Sequence, residues 1–290
     1  MALDAACPPE VLATIGDLEL VARIVVEGLV SGLHRSPFHG YSAEFSQYRR
    51  YRPGDDLKYV DWKLVARTDR VYTKQFRETT NLAAAIVLDT SASMDFPRLP
   101  ISKFRYAVIV AAALSHLVGG QGDASALLAG DRFVPPRAGR AHGRRLLASL
   151  STLQPGGAWR PAETVRRAAD RLGERSLVLA ISDFYDEEEA TFAELRRASR
   201  MGHEVALFQI LSRPEIEFPY RQDLEFSDLE TGARLAINAG LARREYTDAV
   251  AAFLERMRSR AVAEGFQYSL IVTDTPPGVA LRSFLLSRQG

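Results

Sequence analysis

A single cysteine, Cys7, stands near the start of the 290-residue chain, so neither an intrachain disulfide nor a thiolate metal site can be built. That usage fits a reducing compartment. A long apolar run is missing too. The most apolar candidate, YAVIVAAALSHLVGG, is too short for a bilayer and is interrupted by Ser115 and His116. The opening MALDAACPPE has no basic region ahead of an apolar stretch, so no secretory signal is expected. Net charge is +1, which removes any whole-molecule electrostatic argument for nucleic acid or membrane. Neither the glycine patterns that cradle phosphates nor the HExxH zinc pattern occurs. These absences predict a soluble, cytoplasmic protein with no membrane insertion.

What is present is a composition of ordinary balance, 47% apolar and 25% charged, in a chain long enough for one large α/β domain or two small ones. Between Pro8-Pro9 and Gly32, the residues Leu12, Ile15, Leu18, Val21, Ala22, Val25 and Leu29 recur mostly three or four apart. That spacing predicts one amphipathic helix over 9–31, covering an apolar face. Residues 33–80 differ: rich in arginine and aromatics, with RPGDD as a turn and RVYTKQF as a strand, they show no helical period. From His34 to Arg77, ten Lys and Arg face five acids, a modest basic patch.

From residue 82 buried strands alternate with helices. LAAAIVLD, ASALLAG, SLVLAISD, HEVALFQIL and FQYSLIVT read as strands, with DRFVPPRAG as a hairpin partner. KFRYAVIVAAALSHLV, segments near 141–151 and 161–172, EEATFAELRRASRMG, LARREYTDAVAAFLERMRSRAVAEG and PGVALRSFLLSR read as helices, and DLEFSDLETGARLAI as a hairpin turning at Thr231-Gly232. The expected fold class is α/β: a doubly wound, mostly parallel sheet flanked by helices over 81–290. An N-terminal helix, 1–32, and an extended strand and loop segment, 33–80, are expected to pack on it.

Two buried strands end in an acid, Asp89 in LDTSASM and Asp183 in ISD. In a parallel sheet both face one crevice, so Asp89, Ser91, Ser93 and Asp183 offer oxygens suited to magnesium or manganese. The competing reading is structural, since Asp and Ser ahead of a helix are good N-caps. A serine nucleophile is disfavoured because TSASM lacks the flanking glycines of a nucleophile elbow. An acyl-phosphate at Asp89 is disfavoured because Ser91 stands where haloacid dehalogenase phosphatases repeat an Asp. The basic run Arg49, Arg50 and Arg52 could meet phosphates, but Asp55, Asp56 and Asp61 interleave with it, so nucleic-acid binding is not expected.

DTSAS before a helix, with ISD later, resembles the metal-ion-dependent adhesion site of von Willebrand factor A-like domains. The stretch EFSQYRRYRPGDDLKYVDWKLVARTDRVYTKQF, residues 44–76, resembles the signature of the family called domain of unknown function 58. That resemblance rests on Arg52-Pro53-Gly54-Asp55-Asp56, Val60-Asp61-Trp62 and Ala66-Arg67-Thr68, and runs from about 33 to 275. It implies a von Willebrand factor A-like fold and partnership with a MoxR-type AAA+ ATPase. It also places Asp89, Ser91, Ser93 and Asp183 on metal-site positions. The adhesion site draws a further Thr from a second loop. In the matching LQPGGAWRP that place belongs to Ala158, which has no oxygen, and Thr164 lies too far into the next helix to replace it. Magnesium or manganese is therefore expected to bind weakly or not at all.

The expected function is a non-enzymatic protein-interaction module, an adaptor or chaperone-like partner of the ATPase acting on unidentified clients. It would dock acidic partner residues around Ser91, Ala158 and Asp183, with Arg49, Arg50 and Arg52 as further partner contacts. In 44–76 the favoured role is a brace, with Trp62 packed on the sheet and Arg67 paired with an acid. The alternative function is a metal-dependent phosphoesterase using Asp89 and Asp183; it lacks the second carboxylate cluster and neighbouring His that two-metal hydrolysis uses.

Overall fold

The N-terminal periodicity gives two helices instead of the one expected over 9–31: α1 (Pro9–Thr14) and α2 (Leu18–Val30). The break follows from local capping chemistry. Asp17 Oδ1 accepts from the backbone N–H groups of Glu19 and Leu20 at 2.9 and 3.2 Å, and so starts the second helix. Arg105 donates to the carbonyls of Ala13 and Ile15, which closes the first. The computed structural model describes residues 7–30, 43–52, 60–68, 70–78, 83–156, 159–173, 175–186, 188–229 and 232–287. It divides into two units, one of Phe38–Asn81 and one of Met1–Pro37 with Leu82–Gly290.

In the smaller unit β1 (Ala43–Arg50) and β2 (Tyr72–Glu78) pair antiparallel, with Arg50 opposite Tyr72. Between them lies a helix where no helical period was expected, α3 (Trp62–Thr68). Its cap is Asp61: Oδ1 accepts from Leu64 N at 3.1 Å and Oδ2 from the Tyr48 hydroxyl at 2.8 Å. Two turns are too few for an apolar period to declare itself. Trp62 is 62% exposed, which corrects the expectation that it packs on the sheet. Arg67 is exposed as well, and residues 53–56 of the expected RPGDD turn lie outside the described residues.

The larger unit continues with β3 (Ala83–Leu88), a 3-10 turn (Ala92–Asp95), α4 (Lys103–Gly120), β4 (Ala124–Ala129), β5 (Arg132–Arg137), α5 (Arg140–Ser151), α6 (Pro161–Ala169) and β6 (Leu177–Ser182). Then come α7 (Glu188–Arg200), β7 (Glu204–Leu211), the short α8 (Arg213–Glu217), β8 (Asp223–Ser227), β9 (Arg234–Asn238), α9 (Ala239–Ala263), β10 (Gln267–Val272) and α10 (Pro277–Ser287). Six strands form one sheet in the order β10-β7-β6-β3-β4-β5, parallel except for the β4–β5 hairpin at one edge. The chain enters at β3, winds outward through β4 and β5, and returns to β6 on the other side. This is the doubly wound, mostly parallel sheet that the alternation predicted. Its topological switch point lies between β3 and β6, where ligand sites of such sheets gather.

Side-chain alternation along the strands builds two layers. Ala85, Val87, Val178, Ala180, Val205 and Leu207 join Val165, Phe192, Leu195 and Met257 from α6, α7 and α9 in one core. The other face takes α4, in which every residue from Tyr106 to Ser115 is buried. A helix apolar all round must be covered all round; besides the sheet, α2 and α5 pack on it. The β8–β9 hairpin turns as expected at Gly232, whose φ of +73° suits glycine, while Thr231 lies outside the described residues.

Candidate functional site

Where β3 and β6 end side by side, four expected residues come together. Asp89 is 1% exposed, and its backbone N–H continues the ladder onto Ile181 O at 2.9 Å. Its Oδ1 accepts from Ser91 N at 2.7 Å, and its Oδ2 from Ser182 Oγ at 2.5 Å. Asp183, also 1% exposed, accepts at Oδ2 from Ser93 Oγ at 2.9 Å and at Oδ1 from Tyr185 N at 3.3 Å. The Ser91 and Ser93 hydroxyls are 3.0 Å apart. Behind them, Gln209 Nε2 donates to the Asp183 carbonyl at 2.8 Å, and Tyr268 donates to Gln209 Oε1 at 2.6 Å. Ser91 precedes the 3-10 turn without capping it, so its hydroxyl serves the cluster and not the helix end.

One residue of the cluster was not foreseen. Lys103, the first residue of α4, buries its ammonium with the side chain 1% exposed. Its Nζ lies 2.8 Å from Asp183 Oδ2 and 2.5 Å from Glu215 Oε1, with the Tyr185 ring centroid 5.1 Å away. Glu215 is held by a capping box at the start of α8: its Oε2 accepts from Ser212 N and Ser212 Oγ, both at 2.7 Å. Two signals in the sequence pointed here. Lys103 is a charge at the mouth of an otherwise apolar helix, and SRPE matches the capping-box spacing.

The electrostatics follow from burial. Loss of water, then the neighbouring Asp183 charge, lift the Asp89 carboxyl to about 7 despite hydrogen bonds from Ser182 and Ser91. Burial pushes Lys103 down, but the Asp183 and Glu215 charges outweigh it and its pKa is raised. All four carboxylate oxygens of Asp89 and Asp183 thus already accept from the chain's own donors. A magnesium or manganese ion asks for several free oxygen donors in octahedral array. The cluster, with an ammonium seated on Asp183, fits such an ion poorly.

The second loop reaches the cluster through Gly156, which adopts φ of +102° and donates to Thr90 O at 2.9 Å. Ala158 itself lies outside the described residues. Thr164 is buried in α6 and donates to Arg160 O at 2.8 Å, so its hydroxyl is spent within its own helix. The described histidines lie elsewhere. His142 Nε2 is 2.7 Å from Ser125 O, and His203 Nδ1 accepts from Ser176 N, both at the opposite ends of the strands. His116 stands thirteen residues along α4 from Lys103, roughly 20 Å away at 1.5 Å per residue. In the smaller unit Arg50 and Arg52 are exposed and Arg49 is half-buried.

Among the described residues no helix is long and apolar enough to cross a membrane. A family model described as protein of unknown function DUF58 matches residues 47–256. Uncharacterized proteins of Mycobacterium bovis and Mycobacterium tuberculosis are 31% identical over 234 residues, covering 77% of this chain and 72% of theirs. Among solved structures, the conserved hypothetical protein BatB from Bacteroides thetaiotaomicron is similar over 72% of this chain and 98% of its own, at 14% identity and TM-score 0.48. A von Willebrand factor type A protein from Catenulispora acidiphila is similar over 75% of this chain and 43% of its own, at 17% identity and TM-score 0.42.

Proposed function

The chain belongs to the DUF58 family, and on that premise we propose that it is a non-enzymatic protein-interaction module partnering a MoxR-type AAA+ ATPase as an adaptor or chaperone-like factor. The observation that carries the reading is the buried, fully hydrogen-bonded cluster of Asp89, Ser91, Ser93 and Asp183 at the switch point. Such a cluster makes a rigid base for the loops that leave the same strand ends. Those loops present recognition surface: Leu99 is 83% exposed, and Tyr185 is 42% exposed. Tyr185 is of the aromatic type enriched at interface anchors, and Leu99 adds exposed apolar surface on the neighbouring loop. In the smaller unit Arg49, Arg50 and Arg52 are proposed to meet acidic partner residues, and Ala158 is proposed as a further partner contact.

The residues that would hold a divalent ion are Asp89, Ser91, Ser93 and Asp183, and docking as proposed does not depend on one. Nothing at the site favours the phosphoesterase reading, since the described histidines sit away from both strand-end acids. The test is direct binding of the full chain to a purified MoxR-type ATPase by interferometry. Leu99→Asp is expected to weaken binding at least about tenfold with the fold intact, the effect of a lost interface anchor. An affinity indifferent to both Leu99→Asp and Arg50→Glu would sink the proposal.

A further inference from the structure

We infer that the Lys103 ammonium is the resident cation of this site, so that the acid cluster at the switch point operates without a divalent metal. The geometry stands apart from the docking proposal; only its consequence, metal-independent docking, rests on that reading.

An ammonium offers three donors and no acceptor. Two are spent on Asp183 Oδ2 at 2.8 Å and Glu215 Oε1 at 2.5 Å, and the Tyr185 ring closes another side at 5.1 Å. Each partner is itself fixed. Asp183 is pinned by Ser93, Tyr185 N and Gln209, and Glu215 by both donors of Ser212. The ammonium therefore enters a cage whose acceptors are already oriented.

The position is an unfavourable one for a cation unless it has this task. Lys103 opens a helix, where the backbone dipole opposes positive charge, and burial strips its water at a cost of several kcal/mol that only well-placed partners offset. Lysine is scarce in this chain: Lys58, Lys63, Lys74 and Lys103 are its four, among 37 basic residues. The choice has a physical sense, because an ammonium is a compact point charge whereas a guanidinium is a planar fork. A divalent ion on Asp183 would stand against the lysine across a single carboxylate group, and the two cations would repel strongly in a dry site. To admit the metal without that repulsion, Lys103 must leave and Glu215 Oε1 must lose its ammonium.

Four lysines make the test direct. The full chain, labelled with nitrogen-15 in lysine only, is examined for side-chain ammonium resonances at neutral pH, where exposed ammonium protons exchange away. The expected result is a protected resonance that is lost in Lys103→Arg and unchanged by magnesium or chelator. In parallel, manganese is titrated and its free-ion electron spin resonance followed. An unbound spectrum throughout supports the inference. Saturable manganese binding that disappears in Asp89→Asn, or the absence of any protected ammonium resonance, overturns it. Both wild-type readouts stand even where the Lys103→Arg variant fails to fold. An ATPase that does not bind sinks the docking proposal and leaves the resonance untouched; binding abolished by chelator sinks the inference alone.

Discussion

Lys103 shows how one residue sets the character of a site. Its ion pairs are almost wholly removed from water, at 1% side-chain exposure against 2% for Asp183. Removing one member of a buried pair strands the other, so Lys103→Met is expected to cost about 3–5 kcal/mol in urea unfolding. Adding Asp183→Asn and Glu215→Gln to it is expected to cost less than the three single losses combined, because they share one network. Perfect additivity would show that the contacts are incidental. A second residue carries a pH signal. Burial lowers the pKa of His203, whose Nδ1 accepts from Ser176 N. A depressed histidine stabilises the fold fully above its unfolded pKa of about 6.5 and loses that contribution as pH falls below it. Stability is therefore expected to decline from about pH 7.5 to pH 5, less steeply in His203→Gln; identical slopes would remove His203 as the cause.

At the scale of elements, caps decide boundaries that periodicity leaves open. Apolar spacing continues from Leu12 to Leu29, yet the chain breaks at Asp17 because that carboxylate captures two N–H groups. The same chemistry creates α3 behind Asp61. Asn238 works at both ends of one side chain: Oδ1 accepts from Leu241 N at 3.0 Å to start α9, and Nδ2 donates to Asp223 Oδ1 at 2.6 Å across the β8–β9 hairpin. Asn238→Ala is expected to cost about 1 kcal/mol in thermal or urea unfolding, the usual worth of an N-cap. A neutral result would mean that both bonds are replaced by water without loss. These caps were visible in the sequence as Asp and Asn ahead of helical runs, but nothing local says which of several candidates the chain will use.

For the whole molecule, the winding of the sheet matters most. Entering at β3 and returning at β6 places Asp89 and Asp183 on neighbouring strand ends although 94 positions separate them. The loops from those ends carry the proposed docking surface. Affinity for the ATPase is expected to be the same in magnesium and in chelator, and to fall with Leu99→Asp. A strict magnesium requirement would assign the cation of the site to the solvent and not to the chain.

The sequence by itself determined the buried strands and the Asp-x-Ser-x-Ser loop, because each is written locally. A strand buried on both faces is a continuous apolar run, and Asp-x-Ser-x-Ser is five residues of one loop. Tertiary structure alone decided what fills the acid cluster. Lys103 lies 80 positions from Asp183 and 112 from Glu215, and no local pattern joins them. They meet because α4 starts beside the ends of β6 and β7, which folds a lysine, a capping-box glutamate and a strand-end aspartate into one dry volume where opposite charges must pair.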